Sequence, residues 1–195
     1  MKVLIGCEQS GRVANAFAKK GHDAWSNDIQ EATHNGNHLT MDVCEAIKNR
    51  GPWDFIGLHP PCTALAVSGN RWYGKQKEHH QKRIDAIKWT LELWQLAVDY
   101  APMVYLENPV GVLPLTFQQY IQPWQFGHGE TKKTGLALHN LPLLVPTKIV
   151  AGREQRVWKM PPSENRAQMR SLTYQGVAEA MAQQWDKTAK PAIQR

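Results

Sequence analysis

Trp53-Asp54-Phe55-Ile56-Gly57-Leu58-His59-Pro60-Pro61-Cys62 is the stretch that decides the fold. The apolar run over 53–58 reads as a buried strand. It stops at two prolines, which fix φ and have no N–H to continue a ladder. A cysteine stands immediately after that stiff stop. Open α/β sheets carry their chemistry at the carboxyl ends of their strands, so Cys62 sits where a thiol can act as a nucleophile. The same position also suits a free cysteine packed as a small hydrophobe, and the segment alone does not separate the two.

Working outward, the same logic recurs. Lys2–Gly6 reads as a first strand, followed by a glycine-bounded loop over 6–11. Val13, Ala16 and Phe17 give helical spacing over 12–20, and Gly21 suits a carboxyl cap. A second strand over 23–26 closes on Asn27-Asp28. A polar loop runs to Leu39, then a short element at 41–43 leads into helix around 46–49. Beyond Cys62 a polar loop spans 63–80. The spacing of Ile84, Ile87, Leu91, Trp94 and Val98 predicts a long helix over 84–100 with that stripe buried. Residues 103–106 read as a strand closed by Glu107-Asn108-Pro109. A late strand over 134–138, a proline-bounded turn region over 141–146 and a last helix over 176–185 complete the pattern. Strands alternating with helices predict βαβ units in one α/β domain over 1–195, with a doubly wound, mainly parallel sheet.

Composition narrows the setting. The chain has 195 residues and 23 Lys plus Arg against 17 Asp plus Glu, a formal net charge of +6 that suits an anionic partner, nucleic acid above all. No segment approaches the roughly 20 apolar residues that cross a bilayer, so no membrane partner is expected. The apolar part of the amino terminus is too short for a signal peptide. The expected location is cytoplasmic, in a bacterial cell or a phage-infected host. Three cysteines, Cys7, Cys44 and Cys62, are too few for a disulfide framework, and none has the paired spacing of a zinc site. Trp72, Trp124 and Trp158 fall in loops, where aromatics either stack on bases or anchor the chain.

Three features of the first half suit a nucleoside-containing cofactor. Gly6 and Gly11 bound a loop whose backbone N–H groups can approach a ligand closely. Asp28 closes the second strand, where a carboxylate can accept from ribose hydroxyls. Asp42 follows the next short element and can accept from an adenine amino group. Each aspartate singly also reads as a turn residue or a helix cap. Glu107 repeats the position of Cys62 at another strand end. If the two strands are neighbours, a thiolate and a protonated acid meet, a pair suited to adding a nucleophile to an electron-poor ring.

These residues resemble the DNA cytosine-5 methyltransferase family over Lys2 to about Thr134. Pro61-Cys62-Thr63 is similar to the family's Pro-Cys-Gln nucleophile loop, with Thr63 in place of Gln, and Ser68-Gly69-Asn70-Arg71 keeps the spacing of its Gly-x-Arg. Glu107-Asn108-Pro109 is similar to its Glu-Asn-Val. Residues 126–134 resemble its later basic segment without its arginine, for which Lys132 or Lys133 stands in; Arg71, Arg153 and Arg156 are other candidates. The resemblance implies a Rossmann-like fold, S-adenosyl-L-methionine held by Gly6, Cys7, Glu8, Ser10, Gly11, Asp28, Asp42 and Pro60, and methyl transfer to carbon 5 of cytosine. Cys62 would attack carbon 6, Glu107 would hydrogen-bond the ring, and Lys133 would take the arginine's part. Double-stranded DNA, with its base flipped out, would meet Ser68, Arg71, Lys75, Lys132 and Arg153.

One departure stands out. The family carries a sizeable target-recognition region, and only 141–171 is available here. The options are DNA methylation of short or loose specificity, recognition through a homodimer or an accessory partner, or a free cytosine nucleotide as acceptor. A binding module impaired in catalysis is the alternative to an enzyme. Compact methylases of this kind are common in bacteriophages and prophages, as the family resemblance suggests.

Overall fold

The computed structural model describes residues 1–186. At its centre lies a seven-stranded sheet of β1 (Lys2–Gly6), β2 (Asp23–Asp28), β3 (His38–Thr40), β4 (Phe55–Leu58), β5 (Met103–Pro109), β6 (Gln119–Ile121) and β7 (Thr134–His139), in the order 3-2-1-4-5-7-6. Strands β1 to β5 are parallel, and β7 runs antiparallel between β5 and β6. The sheet is doubly wound and mainly parallel, as the alternation of elements predicts. The helices are α1 (Arg12–Ala18), α2 (Val43–Arg50), α3 (Asn70–Tyr73), α4 (His80–Tyr100), α5 (Arg156–Lys159), α6 (Arg166–Ser171) and α7 (Gln175–Gln184).

Period-two alternation along the strands builds two cores. Val3, Ile5, Phe55 and Tyr105 face α1 and α7, whereas Leu4, Ile56, Leu58, Val104 and Leu106 face α2 and α4. Trp185 closes the first core. It is 2 % exposed, its ring lies 5.1 Å from that of Tyr105, and its indole N–H donates to Pro142 O at 2.9 Å. Truncating such a residue to alanine costs about 3–5 kcal/mol.

Three readings of the sequence change. The third strand lies at 38–40, inside the expected loop, and 41–43 is the entry to α2, where Asp42 Oδ1 accepts from the N–H groups of Cys44 and Glu45. On α4 the expected Ile87, Leu91, Trp94 and Val98 do pack, partly buried, against the core, but Ile84 is 45 % exposed. The buried residues are Arg83, Thr90, Leu93 and Ala97, Arg83 being drawn inward by carbonyls of the cysteine loop. β6, α5 and α6 have no counterpart in the expectation. β6 is only three residues long, and side-chain bonds fasten it: Gln119 Nε2 donates to Leu144 O, and Leu144 N donates to Gln119 Oε1. Among the described residues no helix is long and apolar enough to cross a membrane.

Candidate active site

The strand order reverses between β1 and β4, which opens a crevice at the carboxyl edge of the sheet. On its β1 side, Gly6 lets α2 approach, since a Cβ there would come within 2.6 Å of Val43 Cγ2. Cys7 follows with φ +59°. Burial, then the charges of Asp28, Cys44 and Asp42, push its thiol up to about 12, so these four groups converge on one spot and Cys7 stays protonated. Asp28 Oδ1 accepts from Gln30 N, and Asp42 Oδ1 caps α2 while its carboxylate also bonds the Cys44 thiol. Asn27 Nδ2 donates to Leu39 O and Met41 O, which fixes the segment bearing Asp42 against β2.

Glu8 serves the fold as a helix cap. It is buried, and its two carboxyl oxygens accept from Val13 N and Ala14 N. The physical reason lies at Gly11, the residue before α1, which has φ +60° and no side chain to cap the helix, so Glu8 does so from behind. Ser10 is half-buried in the same turn.

On the β4 side, Pro60 is buried and its carbonyl accepts from Asn108 Nδ2 at 3.4 Å. Cys62 is partly exposed and unpaired with another cysteine. Its carbonyl accepts from Leu65 N and Ala66 N, and Val112 N and Val67 N then join this turn to the segment after β5, through Leu65 O and Val110 O. Gly111 permits that approach, since a Cβ would stand 2.2 Å from Leu65 O. The cysteine loop is thereby fastened to the strand that carries Glu107. Burial, then the Glu107 charge, raise the Cys62 thiol pKa, while Lys132 and Arg170 pull it down.

Cys62, Glu107 and Lys132 are thus brought together. Lys132 shares the wall of a cavity of about 20 Å³ with Glu107, Thr173 and Tyr174, and its Nζ donates to Leu172 O. Lys133, the expected arginine substitute, points elsewhere: its Nζ lies over the Tyr120 ring at 4.8 Å. Adjacent residues entering a strand face opposite sides, so of the two lysines it is Lys132 that acts on Cys62. Ser68, Arg71 and Lys75 are exposed on the loop after Cys62, with the Arg71 guanidinium 5.2 Å from the Trp72 ring. Arg153 is engaged locally, stacked on Trp124 at 3.9 Å and donating to Val150 O. A larger cavity of about 430 Å³, lined by Arg12, His128, Glu130, Arg156 and Tyr174, does not include Cys62.

Sequence reasoning missed His59, Tyr105, Arg83 and Thr173. His59 Nε2 lies 2.6 Å from the Tyr105 hydroxyl, and Nδ1 lies 3.4 Å from Glu107 Oε2 and 3.4 Å from Thr173 Oγ1. Arg83 is 5 % exposed and donates to Ala64 O, Asn70 Oδ1 and Ala66 O. No spacing rule signals either group, because both join residues far apart in the chain.

Among solved structures, the chain is similar to a candidate DNA modification methyltransferase encoded within a prophage of E. coli. The TM-score is 0.51 at 12 % identity, over 82 % of this chain and 55 % of that one. The fold is that of the Rossmann-like methyltransferases. The chain spans about half the length of that relative. No protein-family model and no curated protein sequence matches it.

Proposed function

We propose that the protein transfers a methyl group from S-adenosyl-L-methionine to carbon 5 of cytosine in DNA. The observation that carries this reading is a partly exposed thiol and a carboxylate at neighbouring parallel strand ends, joined by the bonds between the cysteine loop and the segment after β5. The coarser reading, methyl transfer to DNA, draws on the similarity to the prophage protein as well. The donor set suits the cofactor: Asp28 and Asp42 converge on Cys7 beside the Gly6–Gly11 loop, where carboxylates can accept from ribose hydroxyls or an adenine amino group. Once bound, the cofactor supplies an electrophilic methyl group on a sulfonium.

Cys62 gives its proton to solvent, a step that Lys132 and Arg170 favour against burial and the Glu107 charge. Sγ bonds to carbon 6, and the electrons of the 5,6 double bond move into the ring, where Glu107 hydrogen-bonds nitrogen 3 and the amino group. With the cofactor bound, carbon 5 would take the methyl group as the sulfonium–methyl bond breaks and leaves a neutral thioether; loss of the carbon 5 proton to solvent would restore the double bond as the Sγ–carbon 6 bond breaks. Arg71 and Lys75 hold phosphates beside the flipped base.

The test is incubation with labelled S-adenosylmethionine and unmethylated duplex DNA or dCTP, followed by digestion to nucleosides. Labelled 5-methylcytosine from DNA is expected, with Cys62→Ser lowering turnover on the order of 10³-fold or more while cofactor binding persists. Product from dCTP alone would move the acceptor to the nucleotide, a reading favoured by the small size of 141–171. Cofactor binding without product from either would leave a binding module.

A further inference from the structure

We propose that His59 is a positioning residue for Glu107, held in its working tautomer by the hydroxyl of Tyr105. The inference deepens the reading above, since it concerns how the same carboxylate is presented to the ring.

The geometry begins with Gly57. A Cβ there would lie 2.3 Å from Tyr105 Cε1, so the missing side chain on β4 lets the ring of its β5 partner lie across it. Tyr105 is fully buried, and its hydroxyl reaches His59 Nε2 at 2.6 Å. Burial, then the charges of Glu8 and Glu107, push the phenol well above its ordinary pKa, so it keeps a proton to donate. His59 Nε2 is the hydroxyl's hydrogen-bond partner among the described residues. The phenol therefore donates, Nε2 accepts, and the ring proton belongs on Nδ1.

Nδ1 is the atom that faces Glu107 Oε2 and Thr173 Oγ1, each at 3.4 Å. In the opposite tautomer its lone pair would oppose a carboxylate oxygen, and the phenolic proton would lack an acceptor. Such contacts are long in a ligand-free site and tighten when the reacting group arrives. Burial first, then the Lys132 charge, lower the His59 pKa against the pull of Glu107, so the imidazole is neutral at neutral pH. The groups around the ring are Tyr105 and Glu107 from β5, Lys132 from the turn before β7, and Thr173 from the turn before α7. A neutral N–H fixed on Oε2 turns the carboxyl plane so that Oε1, when it carries the acid proton, can donate to nitrogen 3. His59 does not touch nitrogen 3; it holds the residue that does.

Two measurements separate this inference from the reading it rests on. Long-range nitrogen–proton NMR of the ligand-free protein reads the tautomer directly. The expected result is a proton on Nδ1 of His59 in the wild type, and a mixture of tautomers in Tyr105→Phe. A proton on Nε2 in the wild type would overturn the inference whether or not the protein methylates DNA. In the methylation assay, His59→Leu is expected to lower kcat about 100-fold and Tyr105→Phe about 10-fold. KM for DNA and cofactor affinity should stay within about twofold, and the pH profile of kcat should move. His59→Asn, whose amide N–H can replace Nδ1–H, should recover part of the loss. Wild-type kcat and pH profile in a folded His59→Leu would also overturn it. A wild type that makes no 5-methylcytosine but shows the Nδ1 proton would fail the methyltransferase reading and leave the carboxylate-positioning geometry standing.

Discussion

Glu8 shows how a single buried group can set the pH response of the fold. Burial pushes its carboxyl up to about 7 against the pull of the Val13 and Ala14 N–H groups. Because this lies above the ordinary 4.5, the folded protein binds more protons than the unfolded chain between those values. Stability therefore falls as pH rises through that window, by roughly 3 kcal/mol in all. His22, His34 and His59 work the other way: burial lowers their pKa, and protonation below about 6.5 weakens the fold. Glu8→Gln keeps an oxygen for the α1 N–H groups and removes the titration, so the difference between variant and wild type isolates Glu8. Thermal melts at pH 5 and pH 8, which span about 2.5 kcal/mol of that change, should show the variant gaining roughly 5–10 °C relative to wild type at the higher pH. An equal Tm difference at both values would mean that Glu8 does not titrate in the window. At this scale the sequence marks what stands at strand ends: Cys62, Glu107 and Asp28 are announced by prolines and by the close of apolar runs. It is silent on Tyr105, which reads as one more core residue until its hydroxyl is seen against a histidine 46 positions earlier.

Between elements, the cysteine loop is held by α4, and Arg83 is the clasp. Its guanidinium satisfies the carbonyls of Ala64 and Ala66 and the amide oxygen of Asn70, fixing the backbone from Cys62 into α3. Apolar periodicity hid this role, because a stripe count ranks Ile84 above its charged neighbour, yet Ile84 is the exposed residue and Arg83 the buried one. The same bias hid β3, whose three residues His38, Leu39 and Thr40 carry too little apolar signal to stand out from a polar loop. Arg83→Met fills similar volume and donates nothing. It should cost about 2–3 kcal/mol through the Ala64 carbonyl and the Asn70 amide oxygen it leaves without a donor, the Ala66 carbonyl keeping its bond from Gly69 N, and it should free the loop before the sheet melts. Limited trypsin digestion is the measure: cleavage at Lys75 and Lys77 should precede global unfolding in the variant and coincide with it in the wild type. Unchanged digestion and Tm would show that α3 holds the loop without the clasp.

Across the whole molecule, one topological fact assembles the site. Five parallel strands deliver Gly6, Asp28 and Glu107, with Cys62 just beyond β4, to one edge of the sheet; because β7 runs antiparallel, pairing Thr134 with Pro109, its beginning reaches that edge as well and brings Lys132 with it. Strand direction leaves no mark on an apolar pattern, so the order of elements was legible in the sequence and the choice of Lys132 over Lys133 was not. The later part of the chain is sparse: between β7 and α7, residues 141–171 hold turns, α5 and α6 and no further strand. Under the proposed function, so small a segment leaves DNA affinity to phosphate contacts from Arg71 and Lys75, exposed on the loop after Cys62, and from Arg170 on α6, whose charge reaches the cysteine. If each neutralises one phosphate, log K should fall with log salt at a slope of roughly −3, and random duplexes should bind within about tenfold of one another. Binding titrations across a salt series with several unrelated duplexes measure both quantities. Arg71→Ala should flatten the slope by about one without changing the ranking of duplexes, as expected of a phosphate contact. A strong preference for one short sequence, retained at high salt, would mean that 141–171 reads bases after all, and that the compact carboxyl half is a reader in its own right instead of a remnant of a larger one.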